Sequence, residues 1–402
     1  MNQQKLISPA WVLLGFFLVL PAAADDLPAA ALAAFQTGLV ERADRDDADA
    51  ARFSVEQRQV HHGVPGAGVA VISEGKVSWA GGFGNRVKDT DSPVDADTVF
   101  SVGSVSKMVN AGLILRLVAE GLVDLDTDVN TYLKSWQVED SRYTRDQKVT
   151  LRMILSHTAG FSQHGFGDFE PGADLPTALE TLNGKKPARH GRVRLMFKPG
   201  TEMDYSGGGT TVSQVLVEDV TGLSYPEAAR RYVFEPLGMS RSTFVNPLPA
   251  DHGNIAHAHD RRGRPTALPR GWEAMPEMAA SGLWTSARDL GAFVVALLNS
   301  ANRDDGFLPR ALVQDMMTRV PQSWHGLGPR LNGEGETRVF HHGGSNNSYR
   351  AWIEGHLGAG SGMVILTNGT NGNALYSEIR YAAEESLDWP VKAATGFTAP
   401  SF

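Results

Sequence analysis

Two β-rich stretches lie at opposite ends of this 402-residue chain, with mostly helical sequence between them. Near the start, Val69, Val71, Val77 and Trp79 mark two strands around a Glu74-Gly75 turn. Near the end, residues 337–341, 351–355 and 363–367 are short and β-rich, and a helix over residues 373–387 follows. The interval carries helices over residues 211–220, stopped at Gly222, and 286–298, with Ser286 as N-cap. Strands at both ends with helices between imply one sheet built from the two termini. The expected fold class is α+β: an antiparallel sheet of N- and C-terminal segments flanked by helices, with an inserted, mostly helical domain. Residues 25–100 and 322–402 make the discontinuous α/β domain, and residues 101–321 the helical one. A cleft is expected at their junction.

Residues 1–24 read as an export signal. Lys5 is the basic start, residues 10–20 are an uncharged apolar core, and Ala22-Ala23-Ala24 is a small-residue cleavage site. The expected location is the bacterial periplasm or the medium, with membrane attachment only if the leader stays uncleaved. Residues 27–60 are Ala-rich and charge-laced, and read as one or two helices. The chain has no cysteine, which excludes disulfides and thiol metal sites. Its net charge is −8 and no basic run interleaves with aromatics, so nucleic acid is not an expected partner. His252, His257 and His259 are placed on a loop rather than on a metal.

Three short motifs carry chemistry. Ser104 stands three residues before Lys107, where an apolar helix opens with Met108, Leu113, Ile114, Leu115, Leu117 and Val118, and Gly121 as its stop. Positions i and i+3 share a helix face, so hydroxyl and amine meet there, and the helix N-terminus favours an anionic nucleophile. A second copy of the spacing, Ser73-Glu74-Gly75-Lys76, sits between two alternating apolar stretches and reads as a hairpin turn. Next, Tyr205 precedes a glycine cluster, Gly207-Gly208-Gly209, that permits a tight turn close to substrate. A core tyrosine at a loop end fits the same residues. Last, His342-Gly343-Gly344-Ser345 follows a strand, and its glycines let a substrate lie along the strand edge. The backbone N–H groups of Ser345 and Ser104 are candidates for an oxyanion hole.

In this order the three motifs resemble those of the class C β-lactamase-like serine hydrolases, a group of β-lactamases, D,D-carboxypeptidases, D-aminopeptidases and carboxylesterases. Its pattern is S-x-x-K, then Y-x-N, then K-T-G or H-x-G. Residues 153–161 are similar to the family's L-L-x-H-T-S-G-L stretch, and Pro236-Leu237-Gly238-Met239 to its P-L-G-M. Residues 280–290 resemble its G-G-L-x-S-T-A-x-D-L. The likeness covers residues 64–368. It implies a β-lactamase/transpeptidase-like fold and an acyl-enzyme on Ser104, with Lys107 and Tyr205 sharing the general-base work. His342 hydrogen-bonds near Tyr205 or meets substrate. No metal or cofactor is required, and the expected partner is a small ester, amide or D-amino-acid peptide.

Two departures matter. Gly207 takes the asparagine place of Y-x-N, which normally holds the substrate's amide side chain. His342 takes the lysine place of K-T-G, and a neutral imidazole grips a carboxylate weakly. Both favour an esterase or D-amino-acid peptidase over an efficient β-lactamase, with Arg350 a candidate for the lost cation. Gly207, Gly343 and Gly344 are the expected substrate-binding positions, and the loop over residues 161–187, with His164 and Phe166, the expected source of specificity. Lys198-Pro199-Gly200 and Ser345-Asn346-Asn347 mimic family motifs but stand in the wrong order, and no G-x-S-x-G elbow occurs. The other reading is a non-catalytic sensor or binding protein for cell-wall peptides on the same fold.

Overall fold

The computed structural model describes residues 26–266 and 271–387; the leader expected over residues 1–24 lies outside them. Its strands are β1 (Gly66–Ser73), β2 (Lys76–Gly84), β3 (Val99–Ser101), β4 (Trp284–Ser286), β5 (Arg330–Asn332), β6 (Val339–Ser345), β7 (Arg350–His356) and β8 (Ser361–Thr367). Six of them form one sheet in the order β2-β1-β8-β7-β6-β5, with every neighbour antiparallel. The central pair joins the two ends of the chain, Ala67 opposite Thr367 and Ile72 opposite Gly362. The decoy Ser73–Lys76 is the hairpin turn between β1 and β2. Glu74 and Gly75 both take positive φ, 51° and 69°, as a two-residue turn matched to strand twist requires.

Side chains alternate across this sheet and both faces are covered. Val69, Val71, Met363 and Ile365 join a cluster with Phe35, Leu375 and Ile379, from the helices Ala29–Thr37 and Gly372–Ser386. Ala70, Ile72, Val364 and Leu366 face the other way, into a core shared with Leu290, Phe293, Val294 and Leu297. Those four lie on the helix Ala287–Asn302, which packs on β1, β2 and β8 although it belongs to the 101–321 interval. The same core runs on through the helices Ser106–Ala119 and Gly207–Thr221, so sheet and helical region share one interior. Among the described residues, no helix is long and apolar enough to cross a membrane.

Two carboxyls are buried along the 161–187 segment: Asp168 belongs to it, and Glu277 accepts from Thr181 Oγ1 at 3.3 Å. Burial pushes Asp168 up to about 7 and Glu277 up to about 7. Each binds its proton more tightly folded than unfolded. Stability contributed by the protonated forms is therefore full near pH 4 and is lost as pH rises to 7. His325, pushed down to about 3 by burial, acts in the opposite sense below its unfolded value. Glu277→Gln should raise the thermal midpoint at pH 8 by about 2–5 °C and leave it unchanged near pH 4. Equal shifts at both pH values would refute this account.

Candidate active site

β3 pairs with β4, and Val102 donates its N–H to Leu283 O at 3.1 Å. Gly103 then takes φ 51°, and a short 3-10 turn, Gly103–Val105, leads into the helix Ser106–Ala119. Ser104 therefore lies in the turn, two residues ahead of the helix that the apolar pattern suggested would start there. The i, i+3 relation survives, and Lys107 Nζ donates to Ser104 Oγ at 3.2 Å. The buried Nζ also donates to Ala280 O at 2.8 Å. Ser106 fixes the turn, donating to Gly103 O at 2.6 Å and accepting Leu283 N–H at 3.0 Å. A backbone carbonyl such as that of Ala280 leaves no signal in a sequence.

Tyr205 comes next to the same amine, with Lys107 Nζ 4.9 Å from its ring centre. Its helix starts at Gly207, four residues earlier than its polar and β-branched positions suggest. Ser206 caps it, accepting Gly209 N–H at 2.9 Å. Glycine is required there by space rather than propensity: a Cβ on Gly208 would stand 2.5 Å from Ser162 O. His157, itself at φ 61°, packs its ring 4.2 Å from that of Tyr205 and accepts Ser206 N–H on Nδ1 at 3.2 Å.

β6 brings the third motif to the same place. It runs on to Ser345 because β7 keeps pairing with it, up to Ser345 opposite Arg350. β5 pairs only as far as His341, so the outer edge of residues 342–345 has no strand beside it. The nucleophile turn lies against this edge instead. A Cβ on Gly344 would stand 1.9 Å from Val102 O and 3.3 Å from Ser104 N, and one on Gly103 would stand 2.7 Å from Ser345 N. The N–H groups of Ser104 and Ser345 are thus neighbours. Asn346 ties the junction, donating to Ser101 Oγ at 2.5 Å.

His342 is buried, its ring centre 6.2 Å from that of Tyr205, and its Nδ1 donates to Gly343 O at 2.7 Å. Burial, then the charges of Arg330, His325 and Lys107, hold its ionisation well below the usual histidine range. It is a neutral imidazole at working pH. Arg350 turns away, its guanidinium spent on the carbonyls of Asn346 and Tyr349. Gly207 gives its N–H to His164 O at 3.0 Å. Of the loop histidines, His259 binds Asn368 O at 3.1 Å and accepts Lys88 N–H at 3.2 Å.

Sequence reasoning missed Arg330, at the start of β5. Its Cζ is 5.9 Å from the Tyr205 ring centre. Its Nε is buried without a partner, and among the described residues no carboxylate reaches the guanidinium. His325 was also missed; its ring lies 4.8 Å from His157 and 6.1 Å from His342. Arg330 brings a positive charge to the neutral imidazoles of His157, His325 and His342. Such a field favours an oxyanion and an anionic substrate.

Known proteins bear on the reading. The chain is 27% identical to penicillin-binding protein 4 of Amycolatopsis lactamdurans, covering 80% of this chain and 85% of that protein. It is 27% identical to esterase EstB of Burkholderia gladioli, over 67% of this chain and 73% of the esterase. A β-lactamase/D-alanine carboxypeptidase from Pseudomonas syringae shares the fold, with a TM-score of 0.64 at 20% identity, covering 82% of this chain and 96% of that one. The Beta-lactamase family model matches residues 14–387, so this chain belongs to that family and is one of its serine hydrolases.

Proposed function

We propose that the chain hydrolyses esters or amides through an acyl-enzyme on Ser104. The observation that carries this is the 3.2 Å contact of Lys107 Nζ with Ser104 Oγ, with Nζ braced by Ala280 O. In its amine form Lys107, with Tyr205 beside it, takes the hydroxyl proton as Oγ bonds to the substrate carbonyl. The N–H groups of Ser104 and Ser345 receive the oxyanion, and the leaving group departs with the proton. Water, deprotonated by Tyr205 and Lys107, then releases the acid and restores Ser104. Residues 1–24 support export as part of the same reading.

The test is a short-chain nitrophenyl ester and a fluorophosphonate probe on wild type and Ser104→Ala. Turnover and labelling lost together in the variant support the reading. Equal turnover by both proteins overturns it, and stable labelling of wild type without turnover favours the sensor.

Arg330 supplies the cation that His342 does not, and we assign it to a carboxylate on the substrate. Arg330→Ala should raise KM about 10–100-fold for a carboxylate-bearing ester relative to its neutral analogue, the range of a charged hydrogen bond. Equal losses on both esters would instead assign Arg330 to Tyr205.

A further inference from the structure

We propose that Phe166 sets the acyl-group specificity of this site: its ring fills the place of the Y-x-N amide and turns an amide-binding subsite into an apolar one. The inference rests on the acyl-enzyme reading above. A Cβ built on Gly207 meets Phe166 Cε2 at 2.9 Å and Cδ2 at 3.4 Å, with His164 O at 3.2 Å. An asparagine on this backbone drives its own amide into the ring. Gly207 is therefore the residue that the ring's position demands, and Phe166 and Gly207 act as a pair.

The segment that carries the ring is anchored just ahead of it. Gly207 N–H donates to His164 O at 3.0 Å and Gly208 N–H to Gln163 O at 3.0 Å, while Ser206 Oγ donates to Ser162 O at 2.9 Å. These bonds stitch residues 162–164 along the start of the Gly207–Thr221 helix. His190 packs on Phe166, ring centres 5.1 Å apart. Phe166 itself is half-buried, and two residues before Gly207 the Tyr205 ring lies 4.9 Å from that of His164.

The chemical consequence follows from what a phenyl ring cannot do. It offers neither a donor nor an acceptor to a substrate amide, and the N–H of Gly207 is already used. An acyl group with an α-acylamino substituent leaves its peptide N–H and C=O unpaired against the ring. An unsubstituted alkanoyl or arylalkanoyl group loses nothing there and gains apolar contact. The substrate class is thus simple carboxylic esters rather than N-acyl-aminoacyl or peptidyl compounds.

The experiment compares kcat/KM for nitrophenyl phenylacetate and nitrophenyl N-acetyl-D-alaninate, each corrected for the rate of Ser104→Ala. Wild type is expected to prefer the phenylacetyl ester by about 100-fold, the discrimination that unpaired polar groups impose. Phe166→Ala and Phe166→Gln should each lower that ratio at least tenfold, and Phe166→Ala with Gly207→Asn should lower it further. Gly207→Asn alone should impair both substrates, because its side chain has no room. A wild-type preference for the acylamino ester overturns the proposal, as does a ratio within twofold of wild type in both Phe166 variants. Absence of any Ser104-dependent turnover would instead refute the nucleophile assignment.

Discussion

Ser104→Ala is expected to lower kcat for ester hydrolysis by about 10⁴-fold or more, down to the rate that binding and backbone donors sustain alone. Lys107→Ala should fall to the same floor. Its amine touches Oγ at 3.2 Å, and nothing else described donates to or accepts from that hydroxyl. The double variant should then be no worse than either single one, because nucleophile and base act in a single step. Single-turnover kinetics with a nitrophenyl ester measure this directly, since each turnover releases the chromophore as Oγ bonds to the acyl carbon. Additive losses would mean that Lys107 and Ser104 act in separate steps. A Ser104→Ala protein keeping a tenth of the activity would move the nucleophile elsewhere.

Gly344→Ala should be the next most damaging change. The added methyl would stand 1.9 Å from Val102 O, a backbone atom that cannot swing aside. β6 and the nucleophile turn must part, and with them the N–H groups of Ser104 and Ser345. Loss of a donor to the oxyanion is worth about 10²–10³ in kcat. The fall should appear in kcat more than in KM, because the ground-state carbonyl binds before charge develops. Gly343→Ala separates this from general strand damage: its methyl would meet Trp352 at 3.6 Å, an ordinary contact, so its thermal midpoint should match wild type. A Gly344→Ala protein with wild-type kcat would show that the oxyanion sits elsewhere.

Much of this arrangement was legible in the chain itself, and the omissions have physical causes. Alternation in β1 and the Glu74-Gly75 turn marked the first hairpin, because period two and positive φ both leave their mark on residue choice. The S-x-x-K spacing gave a partner for Ser104 even though the helix starts at Ser106, since a 3-10 turn also brings i and i+3 together. Boundaries were less legible. The helix at Gly207 begins with three glycines that no propensity scale favours, and β6 passes through two more. In both places neighbouring backbone sets the requirement, through Ser162 O and Val102 O. Ala280 O and Arg330 were invisible for a related reason. One is a main-chain atom, and the other is an ordinary strand arginine until the fold sets it beside Tyr205.

Because β1 lies between β2 and β8, the interior of the sheet waits on residues made long after β1. A ribosome must deliver the whole stretch from β1 to β8 before Ala67 can find Thr367. Until then the apolar residues of β1 stay partly uncovered, with one edge of backbone donors and acceptors unpaired. Folding of this kind is slow, since distant segments must close a long loop before any pairing rewards them. Chains cut short anywhere before β8 should therefore accumulate as aggregates rather than as a smaller stable unit.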